Sequence, residues 1–590
     1  MSLFKIVATL FLLYPQIVSS KSAVALYTPS HSPCPDGFSL YRPVGISNQT
    51  LSEGESAYVS SRKNHVLPEA WKSYLSNVEG TNVSLPGYVS SILSGANGTE
   101  VYPTLGIATS GGGWRAAIFG GGVLNALDGR NVSSSRNGAG GLLQAATYLT
   151  GLSGGAWLVT SMMQANFPVI HDLVFGTSGG GQSSRFGGWL PQYSLATPSD
   201  DLVTDVAYLA GLVADIQGKH LAGFPITIAD IWAGNLARHF LNGTNGANFY
   251  DFTKAHGAGL TLSGVAKTAT FASFNEPFPI VIADSKSNGG NKSNILVGGQ
   301  IPLTNPIYEF NVYEMGSYDP TLAAFAQTKY MGTTNGSTCV TGFDQLSFVQ
   351  ATSSDVFTSY NTTNLTAILQ LLDPIIDLTL LEPNIELDAA VYPNPFYGVN
   401  KGTYIDSDET YLNLVDGGFN TESIPLQPLL VQARGVEVIL AIDATADVDG
   451  YAAGSSLIAS QTRTTFFPSA YSFPPVPSSV DDFIEKNLTS RPTFFGCNSS
   501  SPTPLIIYVP NGAPLPGQPP LTNTSSDQLE YSLMEVQGML DQTFDMATLR
   551  GVDDDWPACL ACAVVDRARV MLGAIRSGVC ETCMKEYCWS

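Results

Sequence analysis

Short β-branched runs that alternate with helical patterns are the feature that most constrains the fold of this chain. Four such runs are TLGIATS at 104–110, FPIVIAD at 278–284, VEVILAID at 436–443 and PLIIYVP at 504–510. Runs of this length and composition are typical of buried strands, and strands alternating with helices predict an α/β core with insertions. Because no repeat or proline-rich linker divides the chain, we expect residues 21–590 to form one large domain.

One of the candidate strands leads into a serine surrounded by glycines. Residues 148–158 are YLTGLSGGAWL: the apolar run predicts a buried strand, and the residues after Ser153 predict a helix. A Gly-x-Ser-x-Gly turn between a strand and a helix projects the serine hydroxyl and places the positive end of the helix dipole beside it. Ser153 is therefore a candidate nucleophile, although a serine that only caps a helix has a similar local sequence.

A second glycine turn occurs at residues 104–122, TLGIATSGGGWRAAIFGGG. Consecutive glycines at a helix start expose backbone N–H groups that can bind an anion. A nucleotide phosphate site is disfavoured because the G-x-x-x-x-G-K-[ST] pattern is missing, so we interpret the N–H groups of Gly112 and Gly113 as an oxyanion hole. The guanidinium of Arg115 suits bidentate contact with a phosphate, but an isolated arginine is more often a surface or ion-paired residue.

The position of the histidines bears on which group could act as the base. An α/β-hydrolase triad has the chain order Ser, Asp or Glu, then His, yet no histidine follows His256. Residues 409–420, ETYLNLVDGGFN, predict a strand that ends at Asp416 before two glycines, where a carboxylate can reach a serine on another strand. An ordinary Asp-Gly turn has the same pattern. Together with the two glycine turns, this stretch favours a Ser153–Asp416 dyad without histidine.

Three of these motifs resemble those of a known family. SGGGWRA at 110–116, GLSGGAW at 151–157 and LVDGG at 414–418 are similar, in this order, to the fungal lysophospholipase (phospholipase B) family. They are more distantly similar to the catalytic domains of cytosolic phospholipases and to patatin-like hydrolases. The similarity runs from about residue 34 to the C-terminus and includes FNEPFPI, EFNVYEMGS and YPNPFYG. Ala156 departs from the pattern, since fungal relatives usually have serine there.

The resemblance implies a large catalytic domain with a central mixed sheet flanked by helices. It implies that Ser153 attacks an acyl carbonyl, Asp416 takes the proton, Gly112 and Gly113 hold the oxyanion, and Arg115 faces the lipid phosphate. The implied substrates are lysophospholipids and phospholipids at micelle or membrane surfaces. An acyl-serine could also be attacked by a second lysolipid, giving transacylation. No metal or other cofactor is expected.

A carboxylate base has consequences for the pH dependence. Its reference pKa is about 3.9, so it stays ionised in acid where an imidazole is protonated, and we expect activity down to about pH 4–5. Two alternatives remain open at this stage. One is a histidine-triad esterase, and the other is a non-catalytic, glycosylated cell-surface protein on the same fold.

The N-terminal sequence predicts secretion. Residues 1–20, MSLFKIVATLFLLYPQIVSS, have the basic, apolar and small-residue regions of a signal peptide. No later run is apolar enough for a membrane span, and no GPI signal is seen, so we expect an extracellular or cell-wall-associated protein. Glycosylation is predicted at the N-x-Ser/Thr sequons Asn48, Asn82, Asn97, Asn131, Asn242, Asn291, Asn335, Asn361, Asn364, Asn487, Asn498 and Asn523.

The net charge bears on possible partners, and the cysteine content bears on disulfides and a metal site. The formal net charge of −22 disfavours nucleic acid as a partner. The eight cysteines form an even set, as disulfides in an oxidising compartment require. The pairs Cys559-x-x-Cys562 and Cys580-x-x-Cys583 have zinc-ribbon spacing, but the segment between them has a helical pattern. We therefore favour a disulfide-clamped C-terminal helical segment over a zinc site.

Overall fold

A computed structural model of the protein describes residues 21–177, 186–287, 300–359, 386–498 and 503–589. The predicted signal peptide at 1–20 and the sequons at Asn291, Asn361 and Asn364 lie outside these residues. No helix among the described residues is long and apolar enough to cross a membrane.

The secondary structure alternates between strands and helices along the chain. The strands are β1 Ser30–Pro33, β2 Arg42–Pro43, β3 Leu105–Thr109, β4 Tyr148–Gly151, β5 Phe278–Ser285, β6 Ile307–Asn311, β7 Glu314–Ser317, β8 Ala324–Gln327, β9 Thr338–Thr341, β10 Ala390–Pro393, β11 Tyr411–Asp416, β12 Val438–Asp443, β13 Thr493–Phe495 and β14 Leu505–Pro510. The helices are α1 Lys21–Tyr27, α2 Glu53–His65, α3 Leu67–Glu79, α4 Gly87–Leu93, α5 Gly113–Leu127, α6 Val132–Arg136, α7 Leu142–Ala145, α8 Gly154–Gln164, α9 Ile170–Phe175, α10 Leu202–Leu221, α11 Ile228–Phe240, α12 Ala269–Ala272, α13 Leu346–Ser353, α14 Ser455–Phe466, α15 Val480–Glu485, α16 Leu533–Thr548, α17 Trp556–Val564, α18 Asp566–Met571 and α19 Val579–Tyr587.

The centre of the large sheet consists of five parallel strands in the order β14–β12–β3–β4–β5. Every residue in these strands is buried, which explains why their sequences are nearly continuous apolar runs. Antiparallel strands extend the sheet, with β13 beside β14 and β6, β7, β8 and β2 beyond β5. Helix α5 packs against α8 and α16, and α8 covers β4. The predicted α/β fold, a central mixed sheet flanked by helices, is confirmed.

Strand β5 has two partners in succession along one of its edges. Its first half pairs in parallel with β4, where Gly151 lies opposite Val281. Its second half pairs antiparallel with β11, where Asp416 lies opposite Ala283, while β6 occupies the other edge. The C-terminal ends of β4 and β11 therefore point toward each other, two residues apart along β5. This arrangement brings the residues that follow the two strands into one place.

The C-terminal segment is held by disulfides, as predicted. Helices α17 and α19 pack on each other and are joined by Cys559–Cys583 and Cys562–Cys580. The short helix predicted between the two cysteine pairs is α18, after which the chain leaves the helix and passes through Gly573 and Gly578, both at positive φ. The other two disulfides are Cys34–Cys339 and Cys497–Cys588.

Candidate active site

Ser153 stands in the turn between β4 and α8, as its motif predicted. Its backbone has φ 51° and ψ −122°, a conformation that is strained for any residue except glycine. Its N–H donates to the carbonyl oxygen and to the hydroxyl of Ser353, at 3.1 and 3.0 Å. The end of α13 therefore fixes this turn. Ser153 itself is only 7% exposed.

The glycines around Ser153 are required by close backbone packing. A Cβ on Gly154 would collide with the carbonyl oxygen of Gly113, and a Cβ on Gly111 would lie 2.9 Å from the Cβ of Ser153. The two glycine turns that the sequence analysis singled out are thus in direct contact. The residues that open α5 consequently lie next to the hydroxyl of Ser153.

Gly112 and Gly113 begin α5 with φ of 127° and 62°, values that L side chains rarely adopt. Neither N–H group donates to another described residue. Because they lie at a helix N-terminus, these groups can donate to an anion formed beside Ser153. The geometry is what an oxyanion hole needs, and the role itself stays a prediction.

Asp416 is the last residue of β11 and is 6% exposed. The Ser153 hydroxyl lies close enough to this carboxylate to lower the pKa of Asp416 through a side-chain hydrogen bond. A second bond comes from the N–H of Gly418, at 2.7 Å from Oδ1. The Asp416 N–H donates to the carbonyl oxygen of Asp355 at 3.1 Å, which anchors the strand end. The structure therefore brings together the two side chains that the sequence analysis placed on separate strands.

Burial changes the acidity of this carboxyl group. Desolvation raises the pKa of Asp416 to about 6, against the lowering effect of the hydrogen bonds from Ser153 and Gly418. The expectation of a fully ionised base at pH 4–5 used the reference pKa of an exposed carboxyl and is revised here. A base with this pKa is half protonated near pH 6.

No histidine among the described residues takes part in the contact between Ser153 and Asp416. All six histidines lie within the described residues, and none forms a hydrogen bond with Ser153 or Asp416. His239 is buried against the carbonyl oxygen of Trp189, at 3.0 Å, and His256 bonds Thr244 and the Asp251 carbonyl oxygen. Asp416 is therefore the only titratable group bonded to the Ser153 hydroxyl among the described residues.

Arg115 is buried rather than open to a ligand, with 1% of its surface exposed. Its Nε and Nη2 donate to the carbonyl oxygen of Ala444, its Nη1 to that of Thr524, and its Nη2 also to the Ser526 hydroxyl. These bonds use four of the five guanidinium N–H donors. Arg115 thus clamps the 524–526 segment beside the start of α5, and contact with a lipid phosphate stays a prediction.

Ser353 and Ser354, at the C-terminal end of α13, support the site and are absent from the candidates that the sequence suggests. The Ser353 hydroxyl, besides receiving the Ser153 N–H, donates to the carbonyl oxygen of Ile282 at 2.7 Å. The neighbouring Ser354 hydroxyl accepts from the indoles of Trp157 and Trp232, at 2.9 and 3.1 Å. Two serines at the end of an ordinary helix carry no sequence signal that would identify such a role.

Most of the described sequons are accessible. The exposed asparagines are Asn48, Asn82, Asn97, Asn335, Asn487, Asn498 and Asn523. Asn131 and Asn242 are partly buried, and the Asn131 side chain caps α6. The positions suit glycosylation at the surface, which stays a prediction.

Comparison with known proteins places the chain in a family. A family profile described as the lysophospholipase catalytic domain matches residues 105–590. Lysophospholipase 2 of Aspergillus fumigatus is 36% identical over 591 residues, covering 96% of this chain and 93% of that protein. Lysophospholipase 1 of Saccharomyces cerevisiae is 35% identical over 595 residues, covering 96% of this chain and 83% of that protein.

A solved structure has the same fold. Human GIVD cytosolic phospholipase A2 superposes with a TM-score of 0.53 at 16% identity, covering 95% of this chain and 72% of that one. The fold and the family match together define an α/β enzyme that acts on carboxylic esters. The chain belongs to the lysophospholipase catalytic-domain family, as its motifs indicated.

Proposed function

We propose that this chain is a secreted lysophospholipase and phospholipase B that hydrolyses fatty-acyl esters of lysophospholipids and of diacyl phospholipids with a Ser153–Asp416 dyad. The observation that carries the proposal is the closeness of the Ser153 hydroxyl to the buried carboxylate of Asp416, whose pKa it lowers through a side-chain hydrogen bond. A nucleophile in a strained turn, a base bonded to it and unbonded N–H groups beside it are the components that acyl transfer uses. The relatives named lysophospholipase support the substrate class.

In the first half-reaction the Ser153 hydroxyl oxygen attacks the acyl carbonyl carbon while its proton passes to the Asp416 carboxylate. The negative charge that forms on the carbonyl oxygen is stabilised by the N–H groups of Gly112 and Gly113. Collapse of this intermediate breaks the ester bond. The leaving alkoxide takes the proton back from Asp416, and the acyl group remains on Ser153.

In the second half-reaction a water molecule attacks the acyl-serine and gives its proton to Asp416. The tetrahedral intermediate collapses, the fatty acid leaves, and Ser153 recovers its proton. A hydroxyl of a second lysolipid can replace the water, in which case the product is a diacyl lipid. Transacylation is therefore proposed as a side activity of the same site.

Secretion is supported by the cysteines and the sequons. All eight cysteines are paired in disulfides, which persist in oxidising compartments. The described sequons lie mostly at exposed positions. Recovery of the protein from culture medium in glycosylated form, starting at or near Lys21, tests this part of the proposal.

The catalytic part is tested by a product assay on a defined lysophospholipid and a defined diacyl phospholipid. We expect Ser153→Ala and Asp416→Asn each to lower kcat by about 10³-fold or more, because each removes a group that acts in both half-reactions. Asp406→Asn is the matched control, since Asp406 is also buried, with a pKa raised to about 6, but bonds Ser285 and Tyr308 instead. It should keep near wild-type activity.

The same assay separates the alternatives. Near wild-type activity of Asp416→Asn would favour an esterase that uses a histidine. A folded, secreted wild-type protein without hydrolysis of either lipid would favour a non-catalytic surface protein. Either result would end the dyad proposal.

A further inference from the structure

A groove of about 480 Å³ lies away from the catalytic pair, between the β1–β9 ribbon and the loop that precedes β11. This size is in the range of about 300–1,000 Å³ that is typical of small-ligand pockets. Its lining includes Tyr411, the first residue of β11. Asp416 ends that strand five residues later, about 17 Å away at the ordinary rise of a strand. The groove is therefore separate from the site at Ser153.

The groove combines aromatic faces with neutral polar groups. The rings of His31 and Phe224 stack with centroids 5.3 Å apart and planes 6° from parallel, and Tyr397 is 57% exposed. Hydroxyl and amide groups complete the lining, at Thr334, Asn335, Thr338, Asn394 and Thr410. None of the described residues that line it is Asp, Glu, Lys or Arg. A neutral surface of aromatic rings, hydroxyls and amides suits a carbohydrate, whose C–H faces pack on rings and whose hydroxyls form hydrogen bonds.

One residue of the lining is itself a glycan attachment point. Asn335 begins the sequon Asn335-Gly336-Ser337 and is exposed. Its Oδ1 accepts three hydrogen bonds, from the N–H and hydroxyl of Ser337 and from the N–H of Thr338, at 3.0, 2.9 and 2.8 Å. Its Nδ2, the atom that carries an N-linked glycan, donates to no described residue. The turn therefore fixes the side chain while leaving the attachment atom free at the groove.

At three other described sequons the attachment atom is already hydrogen-bonded. The Nδ2 of Asn131 donates to Asn125, that of Asn242 donates to the carbonyl oxygen of Gln164, and that of Asn97 donates to Ser91. Asn335 thus combines a free attachment atom, a fixed side chain and an adjoining groove of matching chemistry.

We propose that an N-linked glycan on Asn335 folds back into this groove and packs on Tyr397. The proposal rests on the secretion proposed above. Because the glycan is tethered at the groove, its first sugars reach a high effective concentration there without the entropy cost of free association. The bound glycan joins the turn before β9 to the loop before β11 and stabilises the native state. A free oligosaccharide is the alternative occupant.

A double-mutant cycle on the secreted protein tests the proposal. Ser337→Ala removes the sequon but keeps Asn335 in its turn, Ser337→Thr keeps the sequon, and Tyr397→Ala removes the exposed ring. We expect mass spectrometry to find Asn335 occupied in the wild type and in Ser337→Thr. We expect Tyr397→Ala to lower Tm by about 1–3 °C when the glycan is present and not to change it in the Ser337→Ala background.

Each contrary result is informative. Equal effects of Tyr397→Ala in both backgrounds, or an unoccupied Asn335 on a protein glycosylated elsewhere, would overturn the glycan proposal and leave the enzyme proposal untouched. A protein that stays in the cell and carries no glycan at any sequon would contradict the proposed secretion, and the glycan proposal with it. Binding of added chitooligosaccharide to the Ser337→Ala protein, with Asn335 unoccupied in the wild type, would assign the groove to a free sugar.

Discussion

At the scale of single residues, the site depends on positions where only glycine fits or where one side chain holds a turn. Gly112 and Gly113 place unbonded N–H groups beside Ser153, whose own backbone is strained. Such strain persists only when the surroundings fix it, as Ser353 does here through two hydrogen bonds. The chemistry should therefore be sensitive to a single added methyl group.

Gly113→Ala is predicted to lower kcat by about 10²-fold or more, the loss expected for a misplaced oxyanion donor. A Cβ at this position would lie 2.6 Å from the carbonyl oxygen of Ser526, so the backbone must shift. Gly121→Ala, in the same helix, is the control, because the nearest atoms to its Cβ are 3.7 Å away. Kinetics on a short-chain ester compare the two, and equal activity would remove Gly113 from the site.

Arg115→Lys is predicted to lower kcat/KM by about tenfold or more on lysophospholipid and on a phosphate-free short-chain ester alike. The reason is that lysine cannot reproduce the fork that holds Ala444, Thr524 and Ser526. Steady-state kinetics on both substrates measure this. A rise in KM confined to the lysophospholipid would instead show that the guanidinium recognises phosphate.

Local signals made much of the site predictable. Ser153, Gly112 and Gly113 follow from two strand–glycine–helix patterns, each of which is confined to one short stretch of the chain. The pKa of Asp416 could not be predicted, because it depends on burial by distant elements. The hydrogen bonds from Arg115 to Thr524 and Ser526 could not be predicted either, because these residues lie about 400 positions further along the chain.

At the scale of elements, strand β5 brings Ser153 and Asp416 together. The sequence predicted the strand at 278–284 and the strand ending at Asp416, and β5 and β11 confirm both. It could not predict that β11 pairs antiparallel with the second half of β5, because strand direction depends on long-range pairing rather than on local pattern. That direction is what turns Asp416 toward Ser153.

The segment from Leu521 to Met534 is the element best placed to meet a lipid surface. It adjoins α5, since the Trp114 indole donates to the carbonyl oxygen of Leu529 at 3.0 Å. It also carries exposed apolar side chains, with Leu529 at 41%, Leu533 at 47% and Met534 at 83%. An apolar patch beside the site suits insertion into a micelle or membrane.

Met534→Glu is predicted to lower activity severalfold on micelles or vesicles of phosphatidylcholine and to leave activity on a monomeric short-chain ester unchanged. Charge on this patch opposes contact with lipid without touching the catalytic groups. Ile575→Glu is the matched control, because Ile575 is also 83% exposed but lies beside the disulfide-linked C-terminal helices. Equal losses for the two variants on micelles would contradict a local lipid contact.

At the scale of the whole molecule, several carboxyl groups are buried and form no salt bridge with a described residue. Burial raises the pKa of Asp406 and Asp416 to about 6 and that of Glu276 to about 8. Between its unfolded pKa and its folded pKa, each group holds a proton in the native state that the unfolded chain has released. The contribution of these groups to stability therefore falls as pH rises through this window.

Glu276→Gln is predicted to raise Tm by a few degrees at pH 8.5 and to leave it nearly unchanged at pH 5. At pH 5 the native Glu276 side chain is neutral and resembles glutamine. At pH 8.5 it is ionised in a buried site, which destabilises the native state of the wild type. Thermal unfolding at both pH values measures the difference. An equal effect at the two pH values would place the cause in packing rather than in the charge.

The central claim, a serine activated by a carboxylate without histidine, is tested most directly by the rate of labelling with a fluorophosphonate. The wild type is predicted to carry the label on Ser153, with a rate that falls in acid around a midpoint near pH 6, as the pKa of Asp416 requires. Asp416→Asn should slow labelling by about 10²-fold or more. Labelling of Asp416→Asn at the wild-type rate, or a label on a residue other than Ser153, would contradict the account.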